Sequence, residues 1–158
     1  MPAITKRPTG LNDTPMARAF AEAEAAGWRR EVPVGAALVG ADGAVIAASG
    51  NRVEAENDPT AHAEMLVLRA GAAALGQKQL DGCDLYVTLE PCPMCAAAIV
   101  LARIRRLYFG AYDPKGGGVE HGPRIFDQPT CHHRPEVYGG IEERRAGALL
   151  RAFFQASR

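Results

Sequence analysis

From residue 14 onward, apolar and polar positions fall into blocks that read as alternating helices and strands. Thr14 then Pro15 is a helix start, a hydroxyl to cap the turn followed by a proline where no amide hydrogen is needed. The alanine-rich stretch to residue 26 continues that helix, and Gly27 supplies a stop. Residues 33–40 and 44–50 are extended runs flanking Ala41-Asp42-Gly43, the pattern of a β-hairpin. Residues 84–89 form the next extended run, and 107–110 a short fourth strand. Between them lie helical stretches at 61–74 and 93–102, mostly small and aliphatic, suited to packing against a sheet. A last helix over 142–154 puts Ala146, Leu149, Leu150, Phe153 and Phe154 on one stripe, with Arg144, Arg145 and Arg151 largely off it. Glycine and proline break residues 111–135 into loop, and Pro2, Pro8 and Gly10 make 1–13 an irregular lead-in. Hairpin, helix, strand, helix, strand predicts an α/β layered fold. The helices at 61–74 and 93–102 are crossovers that permit parallel pairing of the later strands.

Composition narrows the picture. A chain of 158 residues, 47% hydrophobic, suits one domain over 1–158. Eighteen basic and eighteen acidic residues cancel, so bulk charge selects neither nucleic acid nor membrane. The distribution is uneven, however: residues 103–158 carry ten basic and six acidic side chains, a formal +4 against −4 for the rest. That points weakly to a polyanion on one face, and scattered solvated charge would produce it as well. No apolar run is long enough to cross a bilayer, and the N-terminus lacks the basic and apolar regions of a signal peptide. The expected location is the cytoplasm, with no membrane partner. Cys83, Cys92, Cys95 and Cys131 are not a disulfide framework in a chain of this size, and metal or free-thiol roles suit a reducing compartment.

Two segments carry chemistry: His62-Ala63-Glu64 and Pro91-Cys92-Pro93-Met94-Cys95. Each sits where a strand or loop gives way to a helix. Cysteines at i and i+3 in a first helical turn share a face, and the positive helix end favours their thiolates. With His62 they make one nitrogen and two sulfurs, a donor set matched to a single Zn²⁺ per chain, with a fourth position left for water. Glu64, two residues from His62, can serve the same centre only if the pocket straddles the helix's N-terminal end. A carboxylate there can take a proton from metal-bound water and return protons to a ring nitrogen and departing ammonia. Two blander readings stay open. Cys131, His121, His132 or His133 could supply a fourth ligand and close a structural site, or the cysteines could be a redox pair.

His62-x-Glu64 followed by Pro91-Cys92-x-x-Cys95 resembles the signature of the cytidine deaminase superfamily. Longer strings are similar to the bacterial tRNA-specific adenosine deaminases: Glu31 to Ala36, Asn51-Arg52, Asp58 to Glu64, Leu85 to Cys92 and Phe109 to Lys115. The resemblance covers roughly residues 14–155 and implies a three-layer α/β/α fold around a five-stranded mixed sheet, with its fifth strand near 136–138. It implies a homodimer that converts the wobble adenosine of an arginine tRNA anticodon to inosine, with the tRNA anticodon stem-loop as partner and no protein partner beyond the second copy. Asn51 matches the base-contacting asparagine, although after Gly50 it would also serve as a turn residue. Asp113 and Lys115 match a substrate-lining loop, the Ala63 amide is a candidate substrate contact, and His133 and Arg134 fall where the family meets the anticodon stem. Residues 119–134 depart from the leucine- and methionine-rich form of this loop, and the lysine-rich tail of many relatives does not follow Arg158. The alternatives are a deaminase of free purines or nucleosides such as guanine, which shares the metal motif, and a non-catalytic zinc-binding module.

Overall fold

The structure, a computed structural model, describes residues 14–157. The lead-in expected over 1–13 lies outside the described residues. The element order is α1 (Pro15–Trp28), β1 (Gly35–Val39), β2 (Val45–Gly50), α2 (Ala63–Leu75), β3 (Asp84–Leu89), α3 (Pro93–Ala102), β4 (Arg106–Ala111), a 3₁₀ turn (Ile125–Asp127), β5 (Glu136–Tyr138) and α4 (Glu143–Ala156). The five strands form one mixed sheet in the order β2-β1-β3-β4-β5, with β1 antiparallel to both neighbours and β3, β4 and β5 parallel. Helices pack on both faces of the sheet, the three-layer α/β/α arrangement expected from the sequence.

Period-two alternation sorts the side chains between the layers. Leu38, Leu85, Val87, Leu107 and Phe109 point to the face where Val67 and Leu68 of α2 and Ala96 and Ile99 of α3 complete a buried core. Ala37, Tyr86 and Tyr108 point the other way, toward Met16, Ala19 and Phe20 of α1 and Ala146 of α4. α1 crosses the hairpin at backbone distance, because Gly35 and Gly50 leave no Cβ to hold it off. A methyl at Gly50 would lie 2.5 Å from the Glu22 carbonyl, and one at Gly35 would overlap the Ala19 carbonyl. Three differences from the sequence expectation have plain causes. α1 runs through Gly27 to Trp28, because Arg30, not Gly27, takes the left-handed conformation that closes it. The crossover through α2 delivers β3 next to β1 rather than β2, so that pairing is antiparallel, and of the two helical crossovers only that through α3 joins paired parallel strands. Within 111–135, the 3₁₀ turn buries Phe126 against the α3 side of the core.

Parallel strands with helical crossovers gather the loops after β3 and β4 at their C-terminal ends, where ligands of such sheets bind. The N-termini of α2 and α3 both open there.

Candidate active site

His62 is the N-cap residue of α2 and Cys92 the N-cap residue of α3, each in extended backbone with no side-chain capping bond. Pro93 fixes the first turn of α3, and Cys95 follows one turn along, fully buried. His62 is delivered by a turn built on Asp58, whose carboxylate accepts from the Thr60 amide at 2.8 Å and hydroxyl at 2.7 Å. The His62 Nδ1 lies 3.6 Å from each of the Cys92 and Cys95 sulfurs, and all three donor atoms fall within 4.8 Å of one another. A tetrahedral ion with Zn–S of about 2.3 Å and Zn–N of about 2.0–2.1 Å sets sulfur and nitrogen ~3.6 Å apart, so the donors already stand at zinc spacing. The Cys95 thiol donates to Cys92 and, with His62, lowers the Cys92 thiol to about 4. As the donor, Cys95 is pushed up in turn. A divalent cation between them displaces the proton they share.

Among the described residues no other group of this kind forms. The candidates for a fourth protein ligand are engaged elsewhere. The Cys131 thiol donates to the His133 carbonyl at 3.1 Å, His121 Nδ1 lies 2.8 Å from Glu90, and His133 Nε2 lies 2.7 Å from the Ile104 carbonyl. His132 is exposed. The geometry therefore favours an open site over a closed structural one.

Glu64 sits in the first turn of α2, 4% exposed, on the same cavity as His62 and Cys92. Burial raises its carboxyl above the ordinary range, and the negative charge of Cys92 adds to that. It is the cavity's candidate for moving protons near neutral pH. The cavity, about 570 Å³, suits a nucleobase with part of its sugar. Asn51 lines it with its side-chain amide held: Oδ1 accepts from the Ala63 amide at 2.8 Å. That bond commits the Ala63 N–H, proposed from sequence as a substrate contact, to Asn51. It also fixes the orientation of the Asn51 amide group, whose Nδ2 is a donor.

The remaining sequence candidates divide. Asp113 lines the cavity, and Lys115 an adjoining hollow with Tyr112 and Phe154. His133 and Arg134 line neither; His133 ties its loop back to the segment before β4, and Arg134 pairs within the loop. His133 holds the Ile104 carbonyl, and Arg134 pairs with Asp127 at 2.7 Å.

Three contributions were missed as separate roles. Glu31, 2% exposed, accepts from the Glu54 and Ala55 amides and folds the 51–62 segment over the cavity. Glu90, also 2% exposed, accepts from the amides of Asp113, Val119, Glu120 and His121. Phe153 and Phe154 bring α4 to the cavity wall. An acid directly after a buried strand was the available signal for Glu90, since such a charge requires partners.

The family model for the cytidine and deoxycytidylate deaminase zinc-binding region matches residues 11–111. A tRNA-specific adenosine deaminase of Agrobacterium fabrum (strain C58) is 62% identical over 143 residues, covering 90% of this chain and 93% of the relative. A solved structure from work on A-to-I editing by tRNA:A34 deaminases at the wobble position superposes with a TM-score of 0.84 at 62% identity, covering 86% of this chain and 98% of that one. A guanine deaminase from Nitrosomonas europaea superposes with a TM-score of 0.77 at 25% identity, over 94% and 86% of the two chains.

Proposed function

The chain belongs to the bacterial tRNA-specific adenosine deaminases of the cytidine deaminase-like superfamily, and we propose that it converts adenosine-34, the wobble base of an arginine tRNA anticodon, to inosine. It is a zinc-dependent hydrolase of C–N bonds with one Zn²⁺ per chain. The observation that carries the chemistry is the 3.6 Å spacing of the His62, Cys92 and Cys95 donors beside a buried Glu64. The choice of substrate rests on the likeness to the tRNA enzymes over 90% of the chain.

In this reading His62, Cys92 and Cys95 hold the ion and Glu64 stays off it. Bound zinc supplies a water acidified enough to act as nucleophile near neutral pH. Glu64 would take a proton from the attacking water, deliver it to N1 of the adenine ring and later assist protonation of the departing amine. The C6–N bond breaks, water oxygen becomes O6, and ammonia leaves. Asn51 donates to an acceptor on the purine edge, and a wobble base in the anticodon loop already lies outside a duplex, so entering the cavity needs little unstacking. Asp113 and Lys115 border the base and its phosphates. His133 and Arg134 act on RNA through the shape of their loop. The test offers purified enzyme an adenosine-34 arginine tRNA, its guanosine-34 counterpart, free adenosine, guanine and cytidine, scoring inosine and ammonia. Inosine confined to the first RNA supports the reading. Rapid guanine turnover with intact tRNA overturns the substrate and leaves the zinc chemistry standing.

The second copy of a homodimer belongs on α3. Every residue of that helix from Pro93 to Ala102 is apolar, yet only Cys95, Ala96, Ile99 and Ala102 are buried, and Leu101 is 78% exposed. Leu101, Ala98, Met65 and Leu68 line a shared hollow between α3 and α2. A helix apolar on all sides with one side in water fits an isologous contact. Light scattering at micromolar protein checks the mass, and a fully active monomer argues against the dimer.

A further inference from the structure

Trp28, the one tryptophan in the chain, stands 88% exposed at the C-terminal end of α1. It is joined to the catalytic cavity by its neighbours. Arg29 donates from Nη2 to the Asn51 carbonyl at 3.2 Å, tying the helix end to the base-reading residue. Arg30 comes next in the left-handed conformation, φ 66°. Its amide donates to Gly27 and that of Glu31 to Ala26, the reciprocal closure that normally places glycine at this position. Arg103 adopts a similar φ of 59° after α3, so the conformation alone marks nothing. Location separates the two, because the Arg30 side chain lines the catalytic cavity.

That location answers an electrostatic problem. Besides His62, the charged residues around the cavity are Arg30 and the acids Glu31, Glu54, Glu64, Glu90 and Asp113. Backbone amides occupy Glu31 and Glu90, but the mouth remains acid-rich for a substrate with a phosphate on either side of the target nucleotide. Lys115 lines one hollow, with Leu150 and Phe154. Trp28 lines another, with Leu149, Phe153 and Pro33, and Phe153 is shared between that hollow and the cavity. The last turns of α4 therefore border two hollows, one with Lys115, Tyr112 and Phe154 and one with Trp28 and Glu24, while Arg30 lines the cavity itself.

Building on the wobble-adenosine reading, we propose that Trp28 and Arg30 form a second RNA-binding rim, in which a base next to the target nucleotide stacks on the indole and an adjacent phosphate pairs with the guanidinium. Drawing one base into a closed cavity strips it from its neighbours, and an exposed indole replaces that stacking. The occupant is single-stranded RNA continuous with the active-site base, which the shared Phe153 and the Arg30 charge both favour.

The experiment uses the zinc-loaded enzyme in a Glu64→Gln background, which holds RNA without turning it over, and an adenosine-34 anticodon stem-loop. Anisotropy of labelled RNA reports binding, and emission of the lone tryptophan reports stacking. Saturating RNA is expected to quench most of that emission. Trp28→Ala is expected to weaken binding roughly tenfold. Arg30→Gly should weaken binding several-fold and reduce the log Kd against log salt slope by about 0.7, the share of one phosphate on a single strand. Glycine also suits the left-handed position, so Arg30→Gly should melt at the same temperature or higher, an outcome that a structural role for Arg30 would not give. If RNA is bound by the background protein and deaminated by the unmodified enzyme, but emission is unchanged and both variants bind normally, the rim assignment is wrong and the substrate reading survives. RNA neither bound nor deaminated overturns both. Quenching on concentrating the protein without RNA would make Trp28 a self-association contact and overturn the rim.

Discussion

Glu64 lies on the floor and Glu90 in a wall of one cavity, 4% and 2% exposed, and their surroundings give them opposite work. Burial pushes both carboxyls upward. Around Glu90 that push is outweighed by the amides of Asp113, Val119 and Glu120 and by His121, and its carboxyl ends below the ordinary range. Around Glu64 nothing comparable offsets burial, and its carboxyl ends above that range. A carboxylate saturated with donors is a fastener, and one that is desolvated and only thinly compensated is ready to exchange a proton. The floor of the site is built for chemistry. The wall formed by 111–121 is built for position, with Glu90 pinning it to the strand end that also delivers Cys92.

The hardest test of the floor is metal removal. Cys95→Ser, or chelation of the unmodified enzyme, is expected to abolish turnover. Zinc-edge X-ray absorption of the intact protein should report one nitrogen, two sulfurs and one light solvent-type ligand. A third sulfur would implicate Cys131 or Cys83 and reject the open site. Next in size is Glu64→Gln, which should keep zinc and fold yet lose ~10²–10⁴ in kcat. Comparable zinc loss would make Glu64 a ligand, and near-normal turnover would remove it from proton transfer.

The wall should respond differently. Glu90→Gln replaces one acceptor oxygen with an amide that faces donors, leaving buried N–H groups unpaired at roughly 2–3 kcal/mol. Hydrogen exchange at Asp113 and Glu120 should accelerate, while zinc stays near one per chain and the loss of activity falls mainly on KM. Unchanged exchange there would mean that the wall stands without its fastener, and the comparison between the two acids would fail.

Legibility in the sequence followed the same division. The metal donors were readable because their geometry is local: an i, i+3 cysteine pair at a helix start, and a His-x-Glu at another. α3 and β3 match their expected spans, since Pro93 fixes where the helix begins and Leu85 and Val87 alternate cleanly. The wall was not readable, because Glu90 meets partners 23 to 31 positions away and the meaning of Asp113 depends on that reach. Asn51 was singled out and does line the cavity, but its bond to the Ala63 amide, which commits a donor that the sequence left free, was not legible. The end of α1 was misjudged because glycine is the usual closing residue and here an arginine takes that conformation one turn later. The fifth strand was legible only through family resemblance. At three residues it is shorter than any periodic pattern can mark.

The smallest predicted effect comes from two adjacent glycines that separate depth from sequence. Gly116 and Gly117 both follow Lys115, and neither has the left-handed backbone that would penalise alanine by conformation. A Cβ on Gly117 would overlap the Glu90 Oε2 atom and lie 2.6 Å from the Asp113 carbonyl, so the wall must move off its fastener to admit it. A Cβ on Gly116 would meet only the Asp113 carboxylate, at 3.0 Å, and the end of that half-buried side chain can shift by a few tenths of an ångström. Gly117→Ala should therefore cost about 1–3 kcal/mol, in the range for overpacking a filled site. Gly116→Ala should stay within about 0.5 kcal/mol, as for a surface change. Thermal melts of the zinc-loaded proteins, with KM on the RNA substrate, separate the pair. Since neither glycine touches His62, Cys92, Cys95 or Glu64, both variants should keep zinc. Equal effects from the two alanines would locate the constraint in the loop's own backbone, and Glu90 would no longer be what fixes the wall.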